Sequence, residues 1–320
     1  MDTGSHLLFG ATIAGLACVD PVVAARPELA LPLLVATTIG SHAPDFDAVA
    51  RLRGYSAYIR AHRGVTHSLP ALAVWPLVIA LPVALAFGVG EFALHLYGWT
   101  FAAVCLHVLL DLFNAYGVQC LRPFSRRWMH LDVLPLFDPF LAVLHAGALL
   151  AWALTDVEPT SLFPAAYAAT FLYIALRAYQ KRRAAARIRR RLRVRGVVHL
   201  LPCIHWFRWQ YVLESDDRYY TGQLLYGRVS PHETYGKEAE HAVIEATRAT
   251  GGVRAFLQFA KHVHVSFDER EDGYEVRWRD VRFCYDRNMP FGADVRLDRQ
   301  LNVVSESVGW RKKAWDPPYV

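Results

Sequence analysis

The chain has 320 residues, of which 54% are hydrophobic, with a formal net charge of +6 and a mean hydropathy of +0.16. That hydropathy is high for a soluble protein of this size, and the length allows two domains. The five cysteines (Cys18, Cys105, Cys120, Cys203 and Cys284) are irregularly spaced with no CxxC pair, which argues against a disulfide framework and a thiolate metal site. The N-terminus carries no basic region ahead of its first apolar stretch, so that stretch reads as a retained span.

In chain order, apolar segments cover 7–19, 29–39, 69–89, 92–113, 133–154 and 162–176. A full helical crossing needs roughly 20 residues, so the first two are short. Basic residues favour the cytoplasmic side of a membrane. Arg51, Arg53, Arg60 and Arg63 follow the second segment, and Arg122, Arg126 and Arg127 follow the fourth. A dense basic run from Arg177 to Arg195 follows the sixth. The alternate loops hold only Arg26, no base, and the acids Asp156 and Glu158. Six crossings with both termini cytoplasmic satisfy every loop, giving an all-α polytopic bundle over 1–176. The basic run, 177–196, reads as a juxtamembrane helix drawn to an anionic leaflet, which is favoured over nucleic acid as its partner. From 197 to 320 the texture becomes β-branched and aromatic with period-two alternation. It reads as a small, mostly antiparallel β domain with one helix over 237–250.

Ionisable residues inside apolar segments are costly and mark function. Here they are patterned. His6 opens the first segment, SHAPDFD supplies His42, Asp45 and Asp47, HRGVTHS supplies His62 and His67, and HVLLD supplies His107 and Asp111. His107 and Asp111 lie four apart and share one helix face. Imidazole with carboxylate is a normal donor set for zinc or manganese. His62 and His67, five apart, would diverge by about 140° on one helix. A turn at Gly64 brings both in; otherwise one is a ligand and the other contacts substrate or orients the first. In the six-crossing topology all these residues fall at cytoplasmic ends. Each has a plainer reading alone: a packed histidine, a helix-end aspartate beside Pro44, or an Asp111 ion pair with Arg63 or Arg122. Asp138, before Pro139, reads as a helix cap, and the glycines of the first segment as helix packing.

HLLFG, HAPDFD, HRGVTHS and HVLLD, in this order, resemble the bacterial inner-membrane metal-dependent hydrolases of the YdjM/YbcI type. That family is thought to be related to the helical zinc-dependent phospholipase C and S1/P1 nucleases. The resemblance implies a phospholipase C/P1 nuclease-like bundle, with Asp45, His62, His107 and Asp111 on one zinc. It implies a second ion on His6 and Asp111. The third site of the soluble relatives has no equivalent here, so one or two ions are expected. The expected activity is phosphoester hydrolysis, on a lipid-derived or other amphiphilic substrate, by metal-activated water. Asp47 or His67 would accept a proton and Arg63 would hold a phosphate oxygen. A non-catalytic membrane scaffold with a degenerate site, and a transporter using the His and Asp residues as a pathway, are the competing readings.

Overall fold

The computed structural model describes residues 1–237, 240–284, 288–311 and 318–319. The helices form where the apolar segments lie, and Asp2, Asp20 and Asp138 each cap one of their starts. The Asp2 carboxylate accepts the Ser5 amide to open α1 (Thr3–Leu16), and Asp20 accepts the Val22 amide to open the single turn α2 (Pro21–Ala24). Next come α3 (Ala30–Gly40), a run of 3₁₀ turns over Ala43–Arg53, and α4 (Tyr55–Ala61). A further 3₁₀ turn at Val65–His67 leads into α5 (Leu69–Ala86), followed by α6 (Ala93–Leu112). Asp138 caps α7 (Pro139–Leu154) by accepting the amides of Phe140 and Leu141, as its place before a proline suggests. The sixth apolar segment and the basic run form one continuous helix, α8 (Pro159–Leu192).

Among the described residues, three stretches are long and apolar enough to cross a membrane: Leu69–Ala86, Gly90–Leu112 and Pro159–Leu192. The helices α1, α3 and α7, with 14, 11 and 16 residues, rise about 21, 17 and 24 Å. Each falls short of a hydrocarbon core of about 30 Å.

The chain divides into two compact units, one of residues 1–47 and 63–180, the other of 48–62 and 181–320. In the first, Phe9, Ile13, Ala103, Leu106, Leu110, Leu134 and Leu141 form the core. Buried His145 staples it, with Nδ1 3.0 Å from Thr12 Oγ1 and Nε2 2.8 Å from Thr170 Oγ1. In the second, β1 (Val197–Pro202), β2 (Arg208–Glu214), β3 (Arg218–Leu225) and β4 (Arg228–Gly236) form an antiparallel meander. Pro231 is tolerated in β4 because that strand is an edge. The last turns of α8 lay Ala184 and Ile188 on this sheet against Leu200, Trp209 and Tyr211. The helices α9 (Ala242–Arg248) and α10 (Gly251–Phe259) precede a second antiparallel meander. Its strands are β5 (Val263–Arg270), β6 (Gly273–Asp280), β7 (Phe291–Asp298), β8 (Val303–Arg311) and the short β9 (Pro318–Tyr319). The α4 helix packs with α10 and β8 in this unit.

The helix expected over 237–250 is shorter than the sequence suggests. It starts at Ala242, where the His241 side chain accepts the Val243 amide, while residues 238 and 239 lie outside the described ones. The sequence reading passed over α10, because the paired glycines at its start look like a turn.

Gly10 brings α1 against α3. An added Cβ would stand 2.2 Å from Ser41 Oγ, 2.8 Å from Thr38 Cα and 2.9 Å from the Thr37 carbonyl oxygen. Thr37 Oγ1 donates to the Gly10 carbonyl at 2.9 Å across the same contact. Gly10→Ala is therefore expected to destabilise the first unit by about 1–3 kcal/mol. Gly98→Ala, with nothing within 4 Å of the new methyl, should be neutral or stabilising by up to about 1 kcal/mol. Denaturant unfolding of both variants in detergent measures the difference.

Candidate metal centre

Three turns of sequence meet around Asp111, which is fully buried near the C-terminal end of α6. His107 lies one turn earlier on the same face. Its Nδ1 lies 2.6 Å from the carbonyl oxygen of Ser41, the residue that ends α3. Donation from Nδ1 to that carbonyl leaves Nε2 with a lone pair for a ligand. The 3₁₀ turn after Gly64 delivers His67, also fully buried. Asp45 comes from the 3₁₀ run that follows Pro44.

Four atoms then face one another. Nε2 of His67 and Nε2 of His107 are 3.2 Å apart. From His67 Nε2, Asp45 Oδ1 is at 3.5 Å and Asp111 Oδ2 at 3.4 Å. From His107 Nε2 the same oxygens are at 3.7 and 3.6 Å. A first-row divalent ion bonded at about 2.0–2.1 Å to four such atoms in a tetrahedron spaces them about 3.3 Å apart. The group can therefore hold a metal ion. Asp111 Oδ2 adds an independent sign. It is buried and makes no hydrogen bond among the described residues, a costly state for a carboxylate oxygen unless a cation meets it.

The other oxygen, Asp111 Oδ1, takes the remaining charge. Arg63 reaches it at 3.0 Å and His6 Nε2 at 3.5 Å, and the Met1 amino group contacts it directly. The His6 ring stacks on His107 with centroids 3.7 Å apart. Arg63 is itself buried and sits at φ 60°, a left-handed backbone that non-glycine residues rarely adopt. Its amide donates to Asp47 Oδ2 at 3.0 Å.

Asp47 supports the histidines from behind. Thr66 Oγ1 donates to Asp47 Oδ2 at 2.6 Å and lies 3.0 Å from His67 Nδ1. This chain of contacts orients the His67 ring, as outer-shell carboxylates do for metal-bound imidazoles. Burial disfavours a charged His67, but the nearby carboxylates of Asp111 and Asp45 outweigh it and hold its pKa above the usual value.

The structure thus brings His6, Asp45, Asp47, Arg63, His67, His107 and Asp111 together in the first unit. His67, expected to move a proton, lies among the four ligand-spaced atoms. His62, expected on the same ion, is not one of these four; it ends α4 with its ring stacked on Tyr58 at 4.6 Å. Arg63, expected to grip a phosphate, is directed at Asp111. Ser41 and Thr66, which fix the two imidazoles, were not singled out from sequence; Thr66 lies inside HRGVTHS, one position before the histidine that it orients.

Residues 1–184 match the family described as YdjM inner membrane protein. The chain belongs to the YdjM family. All the residues of the centre fall within the YdjM region, as do the three stretches long enough to cross a membrane, save the last turns of α8. Residues 242–315 match the YfhP C-terminal alpha/beta plait domain, which spans α9 to β8. An uncharacterized protein, YfhP, of Bacillus subtilis (strain 168) is 34% identical over 319 residues, covering 97% of this chain and 95% of its own. No solved structure matches.

Thr66→Val keeps the shape of the side chain and removes the hydroxyl that links Asp47 to His67. Metal affinity is expected to fall by about 10–100-fold. Competition with a chromophoric chelator, on protein that unfolds at the wild-type temperature, measures it.

Proposed function

We propose that this protein is a metal-dependent hydrolase of the membrane that cleaves a phosphoester with a metal-activated water. The observation that carries the reading is the buried quartet of Asp45, His67, His107 and Asp111, at edges of 3.2–3.7 Å. The second oxygen of Asp111 already meets Arg63 and the Met1 amino group, and His6 Nε2 lies 2.9 Å from that amino group, so the reading takes one ion at this centre. A bound divalent ion of this donor set, zinc or manganese, supplies hydroxide at neutral pH and polarises a phosphoryl oxygen.

The chain's own residues have the remaining tasks. His107 is held with its Nε2 toward the centre by the Ser41 carbonyl, and His67 by Thr66 and Asp47. Arg63 neutralises Asp111 in a buried ion pair and so keeps the carboxylate ionised. Asp45, at 12% side-chain exposure, is the least buried of the four. It is the ligand placed to yield a position or to accept the proton of the attacking water. An amphiphilic phosphoester suits a centre lying at the ends of apolar helices. Charge in the loops supports six segments in the membrane with both termini on the cytoplasmic side, where the arginines of α8 meet anionic headgroups.

One observation favours a second reading. Structural metal sites have four protein ligands, whereas catalytic ones keep a position open. A closed quartet fits a scaffold stapled by its ion.

Elemental analysis of detergent-purified protein, beside His107→Ala and Asp111→Ala, separates the readings when paired with a screen of phosphomonoesters, phosphodiesters and phospholipids. The hydrolase reading expects both variants to hold one ion per chain fewer than wild type and to lose turnover. Metal that holds the fold without any turnover overturns it in favour of the scaffold. Absence of metal from well-folded protein, even after added zinc, sinks both.

A further inference from the structure

The second unit gathers another set of ligand-type side chains, and strand register explains how. In the β1–β2 pairing His199 stands opposite Val212. Side chains two apart on a strand share a face, so Glu214 lies on the same side as Val212, diagonal to His199 and within its reach. His262 arrives from the other sheet. It immediately precedes β5, and its carbonyl accepts the Val281 amide at 2.9 Å. The packing of Val212 and Tyr219 against Val281 holds the two sheets together beside it.

Three atoms meet there at nearly equal spacing. His199 Nε2 is 3.0 Å from His262 Nε2, and Glu214 Oε2 is 3.2 Å from the first and 3.3 Å from the second. Hydrogen bonding alone serves such a triangle poorly. A neutral imidazole carries one proton, and an Nε2–H aimed at the other ring is turned from the carboxylate. A cation at the centre satisfies all three lone pairs at once. Bonds of about 2.0–2.1 Å place neighbouring ligand atoms about 2.8–3.0 Å apart at octahedral angles and about 3.3–3.4 Å apart at tetrahedral ones, which brackets this spacing. The outer oxygen of Glu214 is also held: Lys237 Nζ lies 3.0 Å from Oε1, leaving Oε2 for the imidazoles. That is how second-shell groups fix a ligating carboxylate.

We infer that His199, Glu214 and His262 form a second metal site, for a first-row divalent transition metal, separate from the centre around Asp111. Two imidazoles with one carboxylate select such an ion over calcium or magnesium. Side-chain exposures of 22% at His199, 28% at Glu214 and 11% at His262 leave the triangle accessible to solvent. The site has three protein ligands and coordination positions open to water or an exogenous ligand. It differs in that respect from the closed quartet of the first unit.

Cobalt(II) titration of the full chain in detergent tests this. Wild type is compared with His199→Gln/His262→Gln, with Glu214→Gln, and with His107→Ala, which disables the first centre alone. Uptake is followed by elemental analysis and by visible d–d absorption, intense for four-coordinate and weak for six-coordinate cobalt. The expected result is one equivalent of cobalt retained in the His107→Ala protein. That equivalent should be lost from the double histidine variant and weakened in Glu214→Gln, with thermal unfolding confirming that each is folded. The inference is overturned if His107→Ala takes up no cobalt, or if the wild-type stoichiometry persists in the folded double variant. Glu214→Gln keeps the side-chain volume, so it decides the matter if the double variant does not fold. Unchanged affinity there also overturns the site. Loss of metal from the first centre leaves this result untouched, because the two ligand sets share no residue.

Discussion

A carboxylate with no exposure to solvent is the constraint around which the first unit is built. Asp111 cannot remain ionised in that position unless its charge is met. The fold meets it unequally. One oxygen is given to Arg63, His6 and the Met1 amino group, the other to two imidazoles. These partners come from three stretches of chain, 1–6, 63–67 and α6 itself, so the helix approaches that bring them together serve this one group. The Gly10 contact between α1 and α3 sets the approach that carries both His6 and the Ser41 carbonyl.

The parts of the centre readable from sequence were those with local spacing. HVLLD puts His107 and Asp111 on one helix face regardless of what surrounds them, and Pro44 ends regular structure where Asp45 must turn. The choice between His62 and His67 was not local. It depends on α4 stopping at Ala61 and on the turn after Gly64. No helical-wheel argument contains that information. The role of Asp47 was hidden for the same reason, since its partners at Arg63 and Thr66 are sixteen and nineteen positions away.

In the second unit, the alternation over 197–320 announces strands without separating them. It is weakest at β4, with its proline, and at β7, whose opening phenylalanine, glycine and alanine look like a turn. The triangle of His199, Glu214 and His262 was equally hidden. Strand histidines with no motif spacing look like ordinary surface residues until register aligns them. The helix α8 shows a different limit. Its basic run reads as a uniformly charged tract, yet Ala184 and Ile188, one turn apart, form an apolar stripe that packs on the first sheet. One segment therefore serves both as a positive flank for an apolar helix and as part of the core of the second unit.

Arg63 carries an ambiguity for anyone interpreting substitutions there. Its left-handed backbone costs about 1–2 kcal/mol that glycine would not incur, while its guanidinium compensates a charge buried far from water. Arg63→Gly would relax the first and abolish the second, so the observed change would understate what the guanidinium contributes. Arg63→Ala keeps the strained backbone. The gap between the two variants measures the conformational cost of placing an arginine at that turn, a quantity that neither reveals alone.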